Sequence, residues 1–362
     1  MRIGIIGAGQ LGQMLGLAAR RMGITCRFLD PSEAPPAAAV GEVIRRPFGD
    51  SAALAELADS CDVVTYEFEN VPVEALLGIA DRVPVFPPPE ALRSAQDRLS
   101  EKRLFDELQI PLPAYRAVDS LDDLHGAVKS IGLPLVLKTR RFGYDGKGQC
   151  VVNAPDDIDD AWRKLAGTDL IAEEWLDFDF EVSVIGVRSA GGESATYPLT
   201  HNEHKDGILR RSRAPVEAPG FAEKAESYMK ALLDRLDYVG VLALELFVVG
   251  DRLLANEFAP RVHNSGHWTI EGAETSQFEN HVRAITGQAP GATACRGHSG
   301  MLNLIGEIPH GAESLQVPGC WLHDYGKSPR EGRKLGHITV VAESADERDE
   351  RLRQIEAALA KM

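Results

Sequence analysis

Short apolar runs alternate with amphipathic stretches along the first 95 residues of the chain. The apolar runs at 2–6, 24–29, 62–66 and 83–86 predict buried strands, because each has the length of a strand and is bounded by polar or glycine residues. The stretches between them carry apolar residues three or four apart, which is typical of a helix that buries one face. Strands that alternate with helices predict a parallel sheet, with ligands beyond the carboxyl ends of its strands.

The pattern changes after a Pro-rich segment that predicts a linker between domains. A helix at 97–108 is followed by a mixed α+β unit at about 111–175, in which 171–176 is predicted to be an edge strand. The nearly apolar run 241–249 and its return 253–258, joined by a Gly-Asp turn, predict a buried hairpin. The predicted domains are an αβ domain at 1–95, a larger domain at 96–290 and a small β-rich domain at 291–362.

Composition narrows the class of protein. The chain has 362 residues, with 39 basic against 54 acidic residues and a net charge of −15, which argues against nucleic acid as the main partner. Its five cysteines are far apart and lack Cys-x-x-Cys spacing, so we expect a reducing cytoplasm and no zinc cage. The sequence has no signal-peptide pattern and no apolar run of membrane-spanning length, so we expect no membrane partner.

A glycine motif follows the first predicted strand. Gly7-Ala8-Gly9-Gln10-Leu11-Gly12 has the spacing of a dinucleotide-binding turn, and Asp30 ends the second strand, where such folds have an acid. Taken alone, the motif favours an NAD-dependent dehydrogenase. A glycine turn at a helix N-terminus also binds other phosphates, so a nucleotide monophosphate or a sugar phosphate fits equally well. Glu67 and Glu69 follow a later strand, and we expect them at the same edge of the sheet.

A second glycine-rich stretch follows a lysine in the middle of the chain. Lys138 ends an apolar run, and the loop 143–149 then carries three glycines around Lys147. Glycines let backbone N–H groups turn toward an anion, and lysine ammonium groups supply mobile positive charge. The stretch therefore predicts a phosphate-binding loop, with a hairpin turn and solvated lysines as the alternative. It is not a Walker A sequence, because no Gly-Lys-Ser/Thr opens a helix.

The predicted hairpin carries two acids on an otherwise apolar sheet. Antiparallel pairing puts Glu245 opposite either Glu257 or Asn256, depending on a shift of one residue. In either register two carboxylates lie close together and lose hydration, which is costly unless a cation or a proton offsets their charge. Carboxylate and amide oxygens suit Mg²⁺, which is often shared with nucleotide phosphates. The hairpin therefore predicts a Mg²⁺ site, with a chance pair of solvated acids as the alternative.

Two polar segments complete the candidate chemistry. The loop 260–269 holds Arg261 and neutral donors such as His263 and Asn264, which suit a small oxyanion. The segment 325–337 carries four cations within eight residues of an acidic protein. This segment predicts a phosphate-binding surface, and a solvated run of charges is the alternative.

Together these features resemble the ATP-grasp superfamily, and within it the N5-carboxyaminoimidazole ribonucleotide synthase family. The resemblance covers the chain from residue 3 to the terminal helix. It rests on the motifs Gly9-Gln10-Leu11-Gly12, Glu67-Phe68-Glu69, Asp97-Arg98, 143–149, Thr200-His201-Asn202-x-His204, Asn256-Glu257, 263–269 and Arg333-Lys334-x-Gly336-His337. It implies an α/β ATP-grasp fold with an N-terminal Rossmann-like (pre-ATP-grasp) domain, a central ATP-grasp domain whose lid spans about 111–175, and a C-terminal β-rich domain.

The resemblance also implies where each ligand binds. Residues expected to hold ATP are Arg98, Lys138, Gly143, Tyr144, Asp145, Gly146, Lys147, Gly148, Gln149, Glu173, Glu174, Trp175, Leu176, Glu181, His204, Asn256 and Glu257. Residues expected to hold the ribonucleotide are Gln10, Glu67, Glu69, Tyr144, Asp145, Ser265, Lys327, Arg333 and Lys334. Residues expected to have catalytic roles are Arg261, His263, Asn264 and Lys334. Glu245 and Glu257 are expected to hold Mg²⁺, or Mn²⁺ in its place.

The implied reaction is the ATP-dependent carboxylation of 5-aminoimidazole ribonucleotide with bicarbonate, through carboxyphosphate, in purine biosynthesis. Its products are N5-carboxyaminoimidazole ribonucleotide, ADP and phosphate. The implied partners are therefore small molecules, and a cytoplasmic homodimer is expected from the family alone. Three other functions compete with this one: an NAD-dependent dehydrogenase, another ATP-grasp ligase such as a glycinamide ribonucleotide ligase or transformylase, and a regulatory nucleotide-binding module.

Overall fold

The computed structural model describes residues 1–143, 147–165 and 167–362 of the chain, and their strands lie in three sheets. The strands of the first sheet are β1 (Arg2–Ile6), β2 (Thr25–Leu29), β3 (Glu42–Ile44) and β4 (Val63–Tyr66). The helices of the same domain are α1 (Gln10–Arg21), α2 (Ser51–Ser60), α3 (Val73–Leu77) and α4 (Pro89–Ala95). The sheet is parallel and has the order β3-β2-β1-β4, as the alternation of strands and helices predicted.

The prediction of a strand at 83–86 was wrong. In the structure this segment forms an isolated parallel bridge, between Val64 and Val85. The Val64 N–H donates to Pro84 O, and the Phe86 N–H donates to Val64 O, both at 2.8 Å. Pro84 has no N–H group to donate to Asp62 O, and Pro88 has none to donate to Tyr66 O, so a hydrogen bond of a continued ladder is missing on each side. The apolar pattern alone gave no sign of this interruption.

The second sheet belongs to a small antiparallel unit, which we call the lid. Helix α5 (Arg98–Glu107) precedes it. The elements of the lid are β5 (Tyr115–Val118), α6 (Leu121–Ile131), β6 (Leu135–Thr139), β7 (Gln149–Val152), α7 (Ile158–Leu165) and β8 (Leu170–Glu174). The order is β5-β8-β6-β7, so β8 is an interior strand and the prediction of an edge strand at 171–176 was wrong. Strand β8 pairs with β5 on one side and with β6 on the other.

The side chains of β6 alternate between the core of the lid and the cleft. Leu135 and Leu137 are fully buried in a core that also contains residues of α6 and α7. Val136 and Lys138 point to the opposite face, because successive side chains of a strand leave on opposite sides. Both line the cleft described below, so β6 connects the packing of the lid to the candidate site.

Within the part of the chain that the structure describes, the third sheet has nine strands, and we call it the central sheet. Its strands are β9 (Phe180–Arg188), β10 (Ser194–Thr196), β11 (Thr200–Lys205), β12 (Ile208–Ala214), β13 (Gly240–Val249), β14 (Arg252–Ala259), β15 (His298–Ile305), β16 (Cys320–Asp324) and β17 (Lys334–Ala342). The helices of this half are α8 (Phe221–Arg235), α9 (Thr269–Gly272), α10 (Gln277–Ile285) and α11 (Ala345–Leu359). Short 3₁₀ turns lie at Pro36–Ala39, Pro155–Asp157, Asn264–Gly266 and Ala312–Ser314.

The C-terminal strands continue the central sheet. The order is β14-β13-β9-β11-β12-β15-β17-β16, with β10 paired to β9, and β15 is hydrogen-bonded directly to β12. The β-rich C-terminal region therefore shares backbone hydrogen bonds with the strands that carry the candidate site. Within the described residues, no helix has the length and apolar character needed to cross a membrane.

A β-bulge sets the register of the β13–β14 hairpin. From the turn, the residues of the two strands pair in regular antiparallel register as far as Leu246 and Ala255. Asn256 is then skipped, and Glu245 lies opposite Glu257. Of the two registers that the sequence left open, the structure therefore has the one in which the two acids face each other.

Two buried polar side chains of α5 hold the bulge in place. Lys102 Nζ donates to Asn256 O at 2.6 Å, and the Phe258 N–H donates to Glu101 Oε1 at 2.7 Å. Burial raises the pKa of Glu101 to about 8, against the opposing effect of the neighbouring Lys102 ammonium. Both residues are almost inaccessible to solvent. The position of Glu257 therefore depends on a helix outside its own sheet.

Helix α1 of the first domain packs on helix α10 of the central domain. Leu11, Met14 and Leu15 belong to the same buried cluster as Phe278 and Val282. Apolar burial on this scale contributes roughly 1.5–3 kcal/mol for each large side chain. The cores of the two domains are thus continuous.

A buried histidine joins the same two domains by hydrogen bonds. The Val241 N–H donates to His281 Nδ1 at 3.1 Å, which leaves the ring proton on Nε2. Nε2 lies 2.9 Å from Thr65 Oγ1 in strand β4, so it donates to that hydroxyl. Burial lowers the pKa of His281 to about 4. The folded protein therefore holds this imidazole in its neutral form.

We predict that His281 lowers the stability of the protein in acid. The pKa of a histidine in an unfolded chain is about 6.5. In the folded protein the pKa of His281 is about 4. Between these values the unfolded state binds a proton that the folded state does not, so the free energy of unfolding falls as the pH falls. His281→Gln should flatten this decline by roughly 1 kcal/mol per pH unit, measured by urea unfolding at about pH 7 and about pH 5.

The matched control is His125→Gln, which changes an exposed histidine of α6. It should leave the decline as steep as in the unaltered protein. A decline of unchanged steepness in His281→Gln would contradict the assignment.

Candidate active site

A cleft of about 550 Å³ opens between the lid, the β13–β14 hairpin and the loop that follows β14. Many of the residues predicted to hold ATP, metal or ribonucleotide, or to have catalytic roles, lie along its wall. They are Glu69, Arg98, Lys138, Gly143, Gln149, Glu173, Glu174, Trp175, Leu176, Glu181, His204, Glu245, Asn256, Glu257, Arg261, His263, Asn264 and Lys334. The fold therefore brings together groups that are distant in sequence.

Buried cations surround Glu173 on the lid side of the cleft. Lys138 Nζ lies 3.0 Å and Lys102 Nζ lies 3.4 Å from Glu173 Oε2. Burial acts to raise the pKa of this carboxyl, but Lys102, Lys138 and Arg98 outweigh burial and lower it to about 2. The pKa of Lys138 is lowered, chiefly because the ammonium is buried. Of these three cations, Lys138 and Arg98 line the cleft, whereas Lys102 lies behind it.

The glycine-rich loop begins and ends against its neighbours in the cleft. Arg98 Nη2 donates to Gly143 O at 3.3 Å. Gly148 has a φ of +72°, and a Cβ atom there would lie 2.6 Å from Thr139 Oγ1, so the position requires glycine. Lys147 is exposed. The predicted residues Tyr144, Asp145 and Gly146 lie outside the described residues.

The segment after β8 combines engaged polar groups with an apolar surface. The Glu174 N–H donates to Ala114 O at 2.8 Å, and the Ala114 N–H donates to Glu174 Oε2 at 3.1 Å, so Glu174 is held within the lid. Trp175 is half exposed at the mouth of the cleft. Phe178 and Phe247 stack with ring centroids 4.7 Å apart, and both line the cleft. This apolar surface suits a planar base.

The two acids of the hairpin each have a separate partner. Glu245 Oε1 lies 3.1 Å from His263 Nε2, and Glu257 Oε2 lies 3.0 Å from Arg98 Nη1. Burial acts to raise the pKa of Glu245, but the hydrogen bond from His263 and the neighbouring positive charges, Lys334 among them, together outweigh burial and lower the pKa. Both carboxyls therefore have donors that offset their mutual repulsion.

The structure also brings Glu181 and His204 close to Glu245. One ligand atom from each of the three lies within 4.8 Å of the other two, and His204 Nδ1 lies 2.6 Å from Glu181 Oε2. This set differs from the predicted pair, Glu245 and Glu257, because it contains Glu181 and an imidazole. Mg²⁺ prefers oxygen ligands, so the carboxylates at this point fit the predicted cation better than His204 does.

The loop after β14 is clamped from behind by a fully buried glutamine. Gln277 Oε1 accepts from the His263 N–H at 2.9 Å, and Gln277 Nε2 donates to His263 O at 2.6 Å. Ser265 is also buried, and its Oγ lies 2.9 Å from His263 Nδ1, so it supports His263 and is not on the cleft wall. Arg261 Nη2 lies 2.8 Å from Glu69 Oε1. The guanidinium therefore links the loop to the first domain.

The remaining predicted residues gather where the first domain meets the C-terminal tail. Lys327 Nζ donates to Gln10 Oε1 at 2.6 Å and to Lys334 O at 3.3 Å. Burial, followed by the charge of Arg333, lowers the pKa of Lys327 to about 8. Lys334 also lines the large cleft. This junction, which we call the Gln10–Lys327 junction, is thus adjacent to the cleft.

The first glycine motif already faces carboxylates of its own chain. The Gly9 N–H donates to Glu67 Oε1 at 2.6 Å, and the Ala8 N–H donates to Asp30 Oδ2 at 2.8 Å. Burial raises the pKa of Glu67 to about 7, although the Gly9 hydrogen bond opposes the shift. Since two N–H groups of the turn are engaged in this way, the geometry argues against a dinucleotide pyrophosphate and against the dehydrogenase alternative.

Several residues of the site escaped sequence reasoning. Lys102 shares a helical face with Arg98, and Val136 shares a strand face with Lys138, so periodicity held a usable signal for both. Gln277 had no such signal, because its role depends on the backbone of a loop 14 residues away. Hydrogen bonds between residues so far apart in the chain leave no pattern in the sequence around either residue.

Comparison with known families agrees with this geometry. A family described as "Ribonucleotide synthetase preATP-grasp domain" matches residues 1–96, and one described as "ATP-grasp domain" matches residues 103–278. A third, described as "Phosphoribosylaminoimidazole carboxylase C-terminal domain", matches residues 299–351. The N5-carboxyaminoimidazole ribonucleotide synthase of Pseudomonas aeruginosa is 49% identical over 359 residues, which cover 99% of each chain.

The chain belongs to the N5-carboxyaminoimidazole ribonucleotide synthase family. The ATP-grasp fold predicted from the sequence is confirmed.

Solved structures of this family superimpose over nearly the whole chain. N5-carboxyaminoimidazole ribonucleotide synthetase from Thermus thermophilus is 50% identical, covers 99% of both chains and has a TM-score of 0.95. The Aspergillus clavatus N5-carboxyaminoimidazole synthase, in complex with ADP and 5-aminoimidazole ribonucleotide, is 32% identical and has a TM-score of 0.92. The latter likeness covers 100% of this chain and 99% of the relative.

We predict that Lys102→Met weakens both the fold and the site. The change removes the donor to Asn256 O and one counter-ion of buried Glu173. Breaking a buried ion pair costs about 3–5 kcal/mol, and we expect a loss of about 3 kcal/mol in the free energy of unfolding. Urea unfolding measures this loss, and calorimetric titration with ATP should show weaker binding, because the bulge that carries Glu257 is no longer held.

The control is Lys230→Met, which removes an exposed lysine paired with Asp234 on α8. Surface pairs of this kind contribute about 0.5 kcal/mol or less. If Lys102→Met were as stable as this control, Lys102 would not hold the bulge.

Proposed function

We propose that this chain catalyses the ATP-dependent carboxylation of 5-aminoimidazole ribonucleotide with bicarbonate in purine biosynthesis. The products are N5-carboxyaminoimidazole ribonucleotide, ADP and phosphate. The observation that carries the proposal is one cleft in which buried cations, paired acids and the Arg261 loop converge, beside the Gln10–Lys327 junction. The relative from Aspergillus clavatus, which holds ADP and the ribonucleotide, supports the same assignment of ligands.

The first step is phosphoryl transfer to bicarbonate. A bicarbonate oxygen attacks the γ-phosphorus of ATP, the bond from phosphorus to the ADP oxygen breaks, and carboxyphosphate forms. This chemistry requires alignment and neutralisation of charge more than covalent participation. Lys138, Arg98 and Arg261 line the cleft. We assign the first two to the phosphates and Arg261 to the bicarbonate. A cation held by Glu245 and Glu257 would neutralise charge on the phosphates when bound.

The second step is carboxylation of the ribonucleotide. Its amine attacks the carboxyl carbon of carboxyphosphate, or of the CO₂ released from it, phosphate departs, and the amine loses a proton. Carboxyphosphate hydrolyses readily, so the lid must exclude water while both substrates are present. The glycine-rich loop between β6 and β7 is suited to this closure, because its glycines allow backbone rotation that other residues resist.

The ribonucleotide is assigned to the Gln10–Lys327 junction. Lys327, Arg333 and Lys334 supply positive charge for its phosphate, and Lys334 extends from this junction to the cleft. A phosphate at this point would lie beside the first domain, while the amine faces the cleft. The burial and charge that lower the pKa of Lys327 to about 8 are the conditions that a bound phosphate dianion would relieve.

Three finer assignments belong to the same proposal. We infer that Mg²⁺ is the working cation, with Mn²⁺ able to replace it, because the acids at the hairpin offer oxygen ligands. We also infer a homodimer and a cytoplasmic location, both from the family.

The direct test is phosphate release with ATP and bicarbonate, with and without 5-aminoimidazole ribonucleotide. We expect release to be much faster with the ribonucleotide and to depend on bicarbonate. Release that is indifferent to both, or a protein that does not bind ATP, would refute the proposal.

We predict that Glu257→Gln lowers turnover in this assay by roughly 10²-fold or more, the scale for loss of an electrostatic contact in the transition state. The change keeps the shape of the side chain but removes the charge that faces Glu245 and Arg98. Glu226→Gln, an exposed glutamate of α8, is the control and should retain normal turnover. Near-normal ADP formation by Glu257→Gln at ordinary Mg²⁺ would contradict the metal assignment.

We predict that Lys334→Ala weakens the ribonucleotide more than ATP. Its ammonium is assigned to the substrate phosphate, so the KM for the ribonucleotide should rise by about 10-fold or more, while the KM for ATP changes by about 2-fold or less. Steady-state kinetics with each substrate varied in turn measures both values. Lys129→Ala, at an exposed position of α6, is the control, and equal losses for both substrates in Lys334→Ala would move this lysine to another role.

A further inference from the structure

A line of buried polar side chains crosses three strands of the central sheet and ends at His263. Ser212 lies on β12, Asn202 on β11 and Ser183 on β9, and Ser265 lies in the loop after β14. None of these four side chains is more than 4% exposed. Buried hydroxyl and amide groups are costly unless they are hydrogen-bonded, so their arrangement requires a physical explanation.

The distances join these side chains into one continuous hydrogen-bonded chain, which we call the serine relay. Ser212 Oγ lies 2.8 Å from Asn202 Oδ1, and Asn202 Nδ2 lies 3.0 Å from Ser183 Oγ. Ser183 Oγ lies 2.7 Å from Ser265 Oγ, which lies 2.9 Å from His263 Nδ1. Each step lies within ordinary hydrogen-bond distance.

One backbone N–H group decides which atom donates in every hydrogen bond of the serine relay. The Ser265 N–H lies 3.3 Å from His263 Nδ1 and can only donate, so Nδ1 must be an acceptor without a proton. The Ser265 hydroxyl therefore also donates to Nδ1 and accepts from the Ser183 hydroxyl. Because Ser183 has only one proton, its oxygen accepts from the amide NH₂ of Asn202. The amide oxygen then accepts from Ser212.

The other ring nitrogen of His263 faces the metal-binding side of the cleft. With Nδ1 unprotonated, the proton of the neutral imidazole is on Nε2. Nε2 lies 3.1 Å from Glu245 Oε1, so the relay ends with a donor directed at a carboxylate. The clamp of Gln277 on both backbone groups of His263 holds the ring at the distance that this contact requires.

We propose that Asn202 and Ser183 are positioning residues that, through Ser265, hold His263 with its proton on Nε2 and so orient Glu245 for the divalent cation. The role assigned to the cation rests on the proposed function. In this arrangement His263 donates at Nε2 and is not available there as a base. The proton of the amine must therefore go to another acceptor.

Orientation of a metal-binding carboxylate by a hydrogen bond is worth about 10–100-fold in metal affinity or activity. Asn202→Asp tests the relay with almost no change of shape, because a carboxylate has no proton to donate to Ser183. The Ser183 hydroxyl would then turn toward the introduced carboxylate and leave Ser265. Ser183→Ala breaks the same link without adding charge, so it decides the test if Asn202→Asp does not fold.

The control is Ser299→Ala on strand β15. Ser299 is also fully buried in the central sheet, but its hydroxyl has no hydrogen-bond partner among the described residues. Removing it tests the loss of a buried hydroxyl without breaking the relay. We expect this variant to bind metal like the unaltered protein.

The first measurement is the NMR spectrum of the full protein labelled with ¹⁵N-histidine, in mildly alkaline buffer. Comparison with His263→Gln identifies the two ring nitrogens of His263. We expect an unprotonated signal for Nδ1 and a protonated signal for Nε2. A proton on Nδ1, or on both nitrogens, would overturn the proposal.

The second measurement is the affinity of the protein with ADP for Mn²⁺, followed by the loss of the electron paramagnetic resonance signal of free Mn²⁺. We expect the Kd to rise by about 10-fold in Asn202→Asp and Ser183→Ala, and by about 2-fold or less in Ser299→Ala. Unchanged affinity in the folded Ser183→Ala variant would overturn the proposal.

These measurements require neither bicarbonate nor the ribonucleotide. The expected tautomer and Mn²⁺ affinities in a protein that does not release phosphate would refute the proposed function and leave the relay in place. Normal turnover with the other tautomer would refute the relay alone.

Discussion

Two carboxylates face each other on an apolar sheet, and much of the site is arranged around this pair. Glu245 and Glu257 repel each other, and Glu245 is mostly buried while 43% of the Glu257 side chain remains exposed, so Glu245 above all needs a donor or a cation nearby. His263 approaches the first and Arg98 the second. Both partners come from outside the hairpin, and so the loop after β14 and the helix before the lid must be held closely to its face. A divalent cation would relieve the same repulsion.

The pairing of these acids depends on a one-residue irregularity. A regular ladder from the turn would put Glu245 opposite Asn256, and the bulge replaces that neighbour with Glu257. Lys102, buried on α5, holds the carbonyl of Asn256 and also approaches Glu173 of the lid. One ammonium group thus links the hairpin to the lid. The hairpin side and the lid side of the cleft are therefore coupled through a residue that does not line the cleft.

Polar groups buried behind the cleft have a comparable role on the opposite side. Gln277 holds the backbone of His263, and the serine relay holds its ring. A ring fixed in this way directs its Nε2 atom at Glu245, which agrees with a reaction that needs charge to be stabilised at defined points. The relay also connects β12 and β11, which reach the C-terminal strands, with β9 beside the hairpin. The continuous sheet therefore supplies the rigidity on which the site depends.

Local chemistry in the sequence determined the elements and the chemical character of the site. Apolar runs marked most of the strands, and glycines marked loops where backbone groups can approach anions. Tertiary structure decided what these local signals leave open: the interior place of β8, the missing strand at Val85, the bulge opposite Glu245 and the carboxylates that face the first glycine turn. The physical reason is that periodicity records which face of an element is buried. Register and long-range hydrogen bonds depend instead on partners that arrive from distant parts of the chain.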